Sequence, residues 1–350
     1  MSEDQSTWNE LKDIFGLTAG DIRHSAKPVA RQLLYDHYEK QAASYWTVKS
    51  VDFSKDRTKF LTLPIEQQEM ITKLHVLFTK ADRLADKIYS VKVAPLKEVM
   101  YDYNLVANFQ TAIENIHEIG YDKATETIIG GDKEKLDHVR KDFDKYPLIA
   151  NLYNWVDRHT NLTAGDYANQ IPKVILVMAL YEGVLFAGSF SIILNYDDIL
   201  LGICDLNKYI ARDEGFHHVT WFILYSYLAS TYLLLEEEAH EIVEEFVDCI
   251  LPFFEEIIPD NIETIYYENV KLYIEYMADY TLVSMGYNKL YHSKNPFDYM
   301  EKYAHDVVAN PHERKSQSYT MPVNAVKIDD PSTLGKSYKS NDDADIFGEN

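Results

Sequence analysis

Two short motifs in this sequence place a glutamate three residues before a histidine, in Glu114–His117 and in Glu214–His217. Because residues three apart lie on the same face of a helix, each carboxylate and its imidazole can bind one metal ion together. Apolar residues surround both motifs, whereas a third copy, Glu237–His240, lies among further glutamates and predicts a solvated acidic face. The first two motifs are therefore the candidate ligand pairs.

A further carboxylate interrupts a segment that is otherwise almost wholly apolar. Glu182 lies in the middle of the stretch from Val174 to Leu194 and is its one carboxylate. The stretch is long enough to cross a membrane. Since the sequence has no second span of this quality, we expect the central helix of a helical bundle instead. A lone buried charge is costly, so Glu182 must be paired, protonated or bound to a metal ion.

An acidic residue in a fourth predicted helix completes the candidate ligand set. Asp82 interrupts an apolar stripe that includes Phe78 and Ala81, and Asp86, one turn later, is the rival. Four carboxylates and two histidines from four helices are typical of dinuclear iron or manganese sites in ferritin-like bundles. Oxygen and imidazole ligands suit these metals. The set is Asp82, Glu114, His117, Glu182, Glu214 and His217.

The rest of the sequence predicts the helices that must position these residues. Alternating strand patterns and glycine-rich phosphate loops are absent, so we expect an all-α fold. From Asn310 to Asn350 the sequence is polar, which predicts a helical domain over 1–309, with an N-terminal extension, and a flexible tail over 310–350. Apolar spacing predicts helices over roughly 66–91, 97–123, 133–145, 170–195, 199–230, 236–257 and 260–287.

Charge and cysteine content argue against several classes of protein. The 350 residues contain 34 Lys plus Arg and 56 Asp plus Glu, a formal net charge of −22. This charge disfavours duplex nucleic acid or an anionic membrane as the main partner. Two cysteines, Cys204 and Cys249, are too few for a disulfide framework or a cysteine-rich zinc site. The first residues contain no basic-then-apolar signal segment, so we expect a cytoplasmic location.

Five stretches follow one another in a familiar order: YWTVKSVDFSKD (45–56), LFTKAD (77–82), FQTAIENIHEIGY (109–121), EGVLFAGSF (182–190) and IARDEGFHH (210–218). Together they resemble the small, radical-generating subunit of class I ribonucleotide reductase. The resemblance implies a ferritin-like bundle with a dinuclear metal site in a four-helix core, and it favours Asp82 over Asp86. We expect an iron pair, but a manganese or mixed pair stays open, because these ligands suit each.

The resemblance also implies a radical residue and its surroundings. In the family a stable tyrosyl radical lies seven residues after the glutamate of the first motif, and Tyr121 has that position here. Phe186, Phe190 and Ile210 would keep water and reductants away from it. From apolar spacing alone, these three residues are ordinary core positions.

The same resemblance implies a route by which the oxidising equivalent leaves the site. Asp213, beside the ligand Glu214, would link His117 to Trp46 and orient the imidazole. A salt bridge with Arg212 is the alternative role for Asp213, and simple packing is the alternative for Trp46.

In the family the flexible C-terminus binds the large catalytic subunit and contains a transfer tyrosine. Tyr338 is the candidate here and Tyr319 is its rival. Ile346 and Phe347 are isolated apolar residues in a polar tail, as expected of anchors that become ordered on binding. The ending DADIFGEN is not a close match to the family's known endings. A homodimer is implied by the resemblance alone.

The implied function is that of the small subunit of ribonucleoside-diphosphate reductase. Its dimetal site would activate dioxygen and generate a tyrosyl radical, which the large subunit uses to reduce ribonucleotides to deoxyribonucleotides. One alternative is a stand-alone ferritin-like dimetal oxidase or hydroxylase, which would need a substrate cavity but no partner. Another is a metal-storage bundle, which would take up many metal ions and give Tyr121 no role.

Overall fold

The computed structural model describes residues 3–22, 25, 27–161, 166–260, 262 and 264–300. Within them the chain is helical and contains no strand, which confirms the predicted all-α class. The predicted boundary between helical domain and tail, at residue 310, lies outside this part. The α-helices are α1 Glu3–Phe15, α2 Gln32–Ala43, α3 Asp56–Phe60, α4 Ile65–Lys92, α5 Ala94–Val99, α6 Tyr101–Ile129, α7 Lys133–Phe143, α8 Leu148–His159, α9 Tyr167–Leu180, α10 Phe186–Ile193, α11 Leu201–Ser226, α12 Glu236–Ile257 and α13 Tyr267–Ser284.

Four helical segments form the centre of the bundle: α4, α6, the continuous segment from α9 to α10, and α11. Helix α4 packs on α6, and α11 packs on α6 and on both parts of the segment from α9 to α10. Helix α2 packs on both α6 and α11, and the chain that follows it therefore runs close to the centre. The segment Tyr167–Tyr196 is apolar and long enough to cross a membrane, but its apolar window is wholly buried inside the protein. It is the expected central helix of the bundle.

The central helix is interrupted by one wide turn. Between α9 and α10, residues Tyr181–Leu185 form a π-helical turn, and Glu182 lies in it. Such turns are rare and frequently occur at functional sites, because the extra residue changes the direction of the side chains that follow. Helical spacing in the sequence did not indicate this turn.

Local capping fixes where two of the central helices begin and end. Asp56 accepts hydrogen bonds from the backbone N–H groups of Gly202 and Ile203, at 3.1 and 3.0 Å, and so caps the start of α11. Gly130, with a φ of 83°, ends α6 in the left-handed conformation that glycine adopts without strain. Both ligand motifs therefore lie well inside long helices.

Close packing of the π-helical turn gives a stability prediction. A Cβ atom at Gly183 would lie about 2.2 Å from the His218 ring, whose Nε2 is 2.9 Å from Thr281 Oγ1. We expect Gly183→Ala to lower the free energy of unfolding by about 1–3 kcal/mol, because the buried ring must shift and its contact with Thr281 must change. Denaturant unfolding measures this, and Gly20→Ala, where a Cβ meets only ordinary contacts, is the control. Equal stability of the two variants would contradict the prediction.

Candidate metal centre

The structure brings all six predicted ligand residues into one buried cluster. Helix α4 contributes Asp82, α6 contributes Glu114 and His117, the π-helical turn contributes Glu182, and α11 contributes Glu214 and His217. Each of the six is exposed by 8% or less. The side chain of the rival Asp86 lies outside the described part of the chain.

Two glutamates connect the two imidazoles. The carboxylate of Glu114 lies 3.1 Å from His117 Nδ1 and 3.0 Å from His217 Nδ1. The carboxylate of Glu214 lies 3.1 Å from His117 Nδ1 and 3.0 Å from His217 Nδ1. Both histidines therefore direct Nδ1 towards the same small space, with a shared carboxylate on each side.

The ligand atoms divide into two overlapping groups. One group contains Glu114, Glu182, Glu214 and His217, and the other contains Asp82, Glu114 and His117. Within each group the atoms lie within 4.8 Å of one another. Because Glu114 belongs to both groups, its two oxygens can bridge two neighbouring metal ions. The buried acidic and histidine cluster thus fits a dinuclear metal site.

Uncompensated negative charge at the cluster supports this fit. Neither carboxylate oxygen of Asp82 has a hydrogen-bond partner among the described residues. Burial, together with Glu114 and Glu214, raises the pKa of Asp82 well above its usual value. Burial, together with Glu214 and Glu114, also raises the pKa of Glu182 well above its usual value. Divalent cations would supply the missing charge, and oxygen and nitrogen ligands suit iron and manganese.

Burial lowers the pKa of each of the two imidazoles, but the neighbouring carboxylates raise it. Burial alone would lower the pKa of His217, but Glu114 and Glu214 raise it to about 10. Burial also opposes the shift at His117, where hydrogen bonds with Asp213, Glu114 and Glu214 raise the pKa well above its usual value. The site therefore attracts positive charge strongly enough to overcome the cost of burying it.

The predicted radical residue lies in a buried aromatic pocket beside the cluster. Tyr121 is fully buried, and its phenolic oxygen has no hydrogen-bond partner among the described residues. Its ring stacks on Phe78 with centroids 4.7 Å apart, and Phe78 in turn stacks on Phe186 and Phe190. Burial, reinforced by nearby Asp82, raises the pKa of Tyr121 well above its usual value. Ile210 is also fully buried.

A hydrogen-bonded connection leads from the cluster to Trp46, just beyond α2. Trp46 Nε1 donates to Asp213 Oδ2 at 2.6 Å, and His117 Nε2 lies 3.2 Å from the same oxygen. The other Asp213 oxygen accepts from Arg212 at 2.9 Å, so Asp213 makes both of the contacts considered from the sequence. Burial opposes the shift, but His117 and Arg212 lower the pKa of Asp213 below its usual value.

Comparison with known proteins decides the family. The family model described as "Ribonucleotide reductase, small chain" matches residues 23–296. The chain belongs to the ribonucleotide reductase small-chain family. A small chain of ribonucleoside-diphosphate reductase from Plasmodium falciparum (isolate Dd2) is 30% identical over 282 residues, which cover 80% of this chain and 78% of that one. The corresponding protein from Nicotiana tabacum is 30% identical over 288 residues, 81% and 84% of the two chains.

Solved structures show the same fold. The homodimer of ribonucleotide reductase Rnr4 from Saccharomyces cerevisiae matches with a TM-score of 0.74 and 21% identity, covering 90% of this chain and 97% of that chain. The ribonucleotide reductase R2 subunit from Clostridium botulinum matches with a TM-score of 0.69 and 16% identity, covering 81% and 91%. The predicted ferritin-like bundle is confirmed.

Three residues near the metal cluster or Trp46 make contacts that the sequence did not predict. Phe78 was only part of an apolar stripe, yet it stacks on Tyr121. Gln110, one turn before Glu114, is buried and donates to Glu182 at 3.3 Å. Tyr209 stacks on Trp46. Phe78 and Gln110 share a signal, since each lies four residues before a ligand.

The surroundings of the cluster bear on the alternative functions. A cavity of about 100 Å³ is lined by Glu182 and Glu214 and, from α13, by Met277 and Tyr280. Pockets for small-molecule ligands commonly measure about 300–1,000 Å³. This cavity is too small for a fatty substrate, so neither it nor family membership favours a stand-alone oxidase.

The histidine of the third motif, His240, does not belong to the metal cluster. It bonds the backbone oxygen of Asn288.

Proposed function

We propose that this chain is the small, radical-generating subunit of ribonucleoside-diphosphate reductase. It would form a tyrosyl radical on Tyr121 and pass the oxidising equivalent to a large subunit, which reduces ribonucleotides to deoxyribonucleotides. The observation that carries the proposal is the connection from His117 through Asp213 to Trp46, because a storage bundle or a simple oxidase needs no such route.

The six cluster residues would hold the metal pair. Glu114 would bridge the two positions, with Asp82 and His117 on one side and Glu182 and His217 on the other. Glu214, which lies close to both imidazoles, would complete the site. When bound, the metal pair would supply the oxidising power, drawn from dioxygen, for the oxidation of Tyr121. We expect iron, while manganese or a mixed pair stays open.

The protein's own contribution at Tyr121 is to exclude water and hold the phenol neutral. Because the pKa of Tyr121 is raised, the hydroxyl keeps its proton until the ring is oxidised. The stacked ring of Phe78 and the apolar side chains behind it keep reductants away from the radical. Phe186, Phe190 and Ile210 would have this protective role.

Asp213 would orient both neighbours of the transfer route. By accepting from His117 Nε2, it would direct Nδ1 towards the metal position. By accepting from Trp46 Nε1, it fixes the indole at hydrogen-bond distance and places a negative charge beside it. An oxidised indole is stabilised by that charge, so electron transfer from Trp46 becomes easier.

The proposal includes two partners and a location. A homodimer is supported by the homodimeric yeast Rnr4 structure, to which this chain is similar. A large catalytic subunit would bind the tail over 310–350, which lies outside the described residues together with Tyr338, Tyr319, Ile346 and Phe347. The cytoplasmic location stays a prediction.

The test combines spectroscopy, metal analysis and turnover. After loading with iron or manganese and exposure to oxygen, the full chain should show a tyrosyl radical signal by electron paramagnetic resonance. It should then support ribonucleoside diphosphate reduction only when the large subunit is added. Metal uptake far beyond two ions per chain without a radical would favour storage. Oxidation of a small substrate without any partner would favour the stand-alone oxidase.

The tail gives a separate prediction. Deleting residues 338–350 should leave thermal stability and the radical unchanged, because so polar a segment cannot form its own core. Binding to the large subunit, measured by sedimentation, should be lost with the apolar pair Ile346 and Phe347. Tyr338→Phe should bind normally but not turn over, whereas Tyr319→Phe should turn over.

Two outcomes would change the tail assignment. If Tyr338→Phe is active and Tyr319→Phe is not, the transfer residue is Tyr319. If both variants are active and the truncated chain still binds, the tail has neither of the two proposed roles.

A further inference from the structure

Trp46 has an aromatic neighbour that the proposed route does not use. The ring of Tyr209 stacks on Trp46, with centroids 5.0 Å apart and an angle of 16° between the planes. On the inner side, His117 stacks with Trp46 at 6.2 Å and 25°. Trp46 thus contacts one ring that belongs to the metal cluster and a second ring that does not.

Tyr209 and Asp213 are presented by the same helix face. They lie four residues apart on α11, so Asp213 bonds the indole nitrogen of Trp46 while Tyr209 covers the indole ring. Trp46 is only 3% exposed, whereas Tyr209 is partly exposed. Tyr209 is therefore the outer member of the pair, at the end of the connection that begins at His117.

The orientation of Tyr209 is held by a fixed cation. The guanidinium carbon of Arg212 lies 5.7 Å from the centre of the Tyr209 ring. Arg212 is itself held by the backbone oxygen of Ser44, at 2.7 Å, and by Asp213, at 2.9 Å. These contacts keep a second oxidisable side chain in van der Waals contact with Trp46, beside the point where Trp46 meets Asp213.

We propose that Tyr209 is a further redox residue, which carries the oxidising equivalent from Trp46 towards the protein surface. The inference rests on the proposed function, because that function supplies the oxidant, an oxidised Trp46. In the step, Tyr209 gives one electron to the indole radical cation of Trp46. The indole returns to its neutral form with its Nε1 proton still bonded to Asp213. The phenolic proton of Tyr209 leaves to water, and a neutral tyrosyl radical remains on Tyr209.

Packing alone would give the stacked pair a different set of properties. If the Tyr209 ring only supports Trp46 by packing, phenylalanine can replace it without loss of turnover, because phenylalanine keeps the stacking area. Phenylalanine cannot, however, be oxidised by the oxidised Trp46. A redox residue is not replaced by phenylalanine. The two roles therefore separate at Tyr209→Phe, and Tyr209→Leu, which also removes the stack, reports the effect of lost packing.

The first experiment measures turnover with the large subunit, substrate and effector present. We expect Tyr209→Phe to lose about tenfold or more in kcat, with the radical on Tyr121 and the metal content per chain unchanged. Tyr45→Phe is the matched control, because Tyr45 precedes Trp46 directly, is 55% exposed and contacts Phe109 instead. Turnover of Tyr209→Phe within about twofold of Tyr45→Phe overturns the proposal. A loss of turnover in Tyr209→Leu but not in Tyr209→Phe also overturns the proposal, because it shows a packing role only.

The second experiment seeks the radical itself. With 3-aminotyrosine at position 209, which is more easily oxidised than tyrosine, the complete enzyme should lose the Tyr121 signal and gain an aminotyrosyl signal. No new signal overturns the assignment of Tyr209 as a redox residue. If the unaltered chain forms no radical, or turns over without the large subunit, the proposed function fails and this inference fails with it. Failure confined to the Tyr209 variants leaves the proposed function intact.

Discussion

Tyr121→Phe is expected to give a folded, fully metal-loaded protein with no tyrosyl radical and no ribonucleotide reduction. The substitution removes only a phenolic oxygen that has no hydrogen-bond partner among the described residues, so packing and the ligand cluster should be preserved. What disappears is the group that can lose an electron and a proton together. Electron paramagnetic resonance after oxygen exposure, metal analysis and turnover with the large subunit measure the three parts of this result.

The matched control for that variant lies on the same helix. Tyr103 is also fully buried in α6, but among the described residues the rings that stack on Phe78 are those of Tyr121, Phe186 and Phe190. Tyr103→Phe should keep both the radical and turnover. If Tyr121→Phe keeps the original radical signal, another tyrosine carries it and the aromatic pocket has only a packing role.

Five of the six cluster residues could be predicted from helical spacing and burial, whereas Asp82 was preferred to Asp86 only through the family resemblance. Each glutamate and histidine in a motif shares one face of one helix, and Glu182 is the single carboxylate of an apolar stretch. Burial of such residues demands a partner, whichever helices surround them. The third copy of the motif, Glu237–His240, lies among glutamates and not among apolar residues. His240 indeed lies outside the cluster, bonded to the backbone oxygen of Asn288.

What could not be predicted depends on contacts between helices that are distant in sequence. The stack of Tyr209 on Trp46 forms only because the chain after α2 meets α11, and nothing in either segment alone indicates it. The π-helical turn at Glu182 depends on how the central helix fits between its neighbours. Helix boundaries show the same limit, because the predicted helix over 97–123 is divided at Met100 into α5 and α6.

Some helices were missed altogether. Helices α1, α2, α3 and α8 were not predicted, and each is 13 residues long or less. Short amphipathic helices of this kind are stabilised mainly by the surface on which they pack rather than by their own propensity. Helix α2, which packs on α6 and α11, precedes Trp46 in the chain. The transfer route was therefore found from the family resemblance and not from helical spacing.

Glu182→Ala is expected to leave a folded bundle that has lost one or both metal ions. Burial together with Glu214 and Glu114 raises the pKa of Glu182, so in the metal-free protein this carboxyl tends to be protonated. Bound cations would hold it as a carboxylate, and its removal leaves the remaining ligands with too little negative charge to neutralise two cations. Elemental analysis of the purified, folded variant measures the loss.

Two further variants test whether metal binding depends on the negative charge of Glu182 and whether the effect is specific to the cluster. Glu182→Gln keeps the size of the side chain and can still bond Gln110, but it lacks the negative charge, so it should lose metal as Glu182→Ala does. His240→Ala removes a histidine from the third motif, outside the cluster, and should keep the full metal content. Unchanged metal content in both Glu182 variants would show that this carboxylate is not a ligand. The second ion would then be held by Glu114, Glu214 and His217 without it.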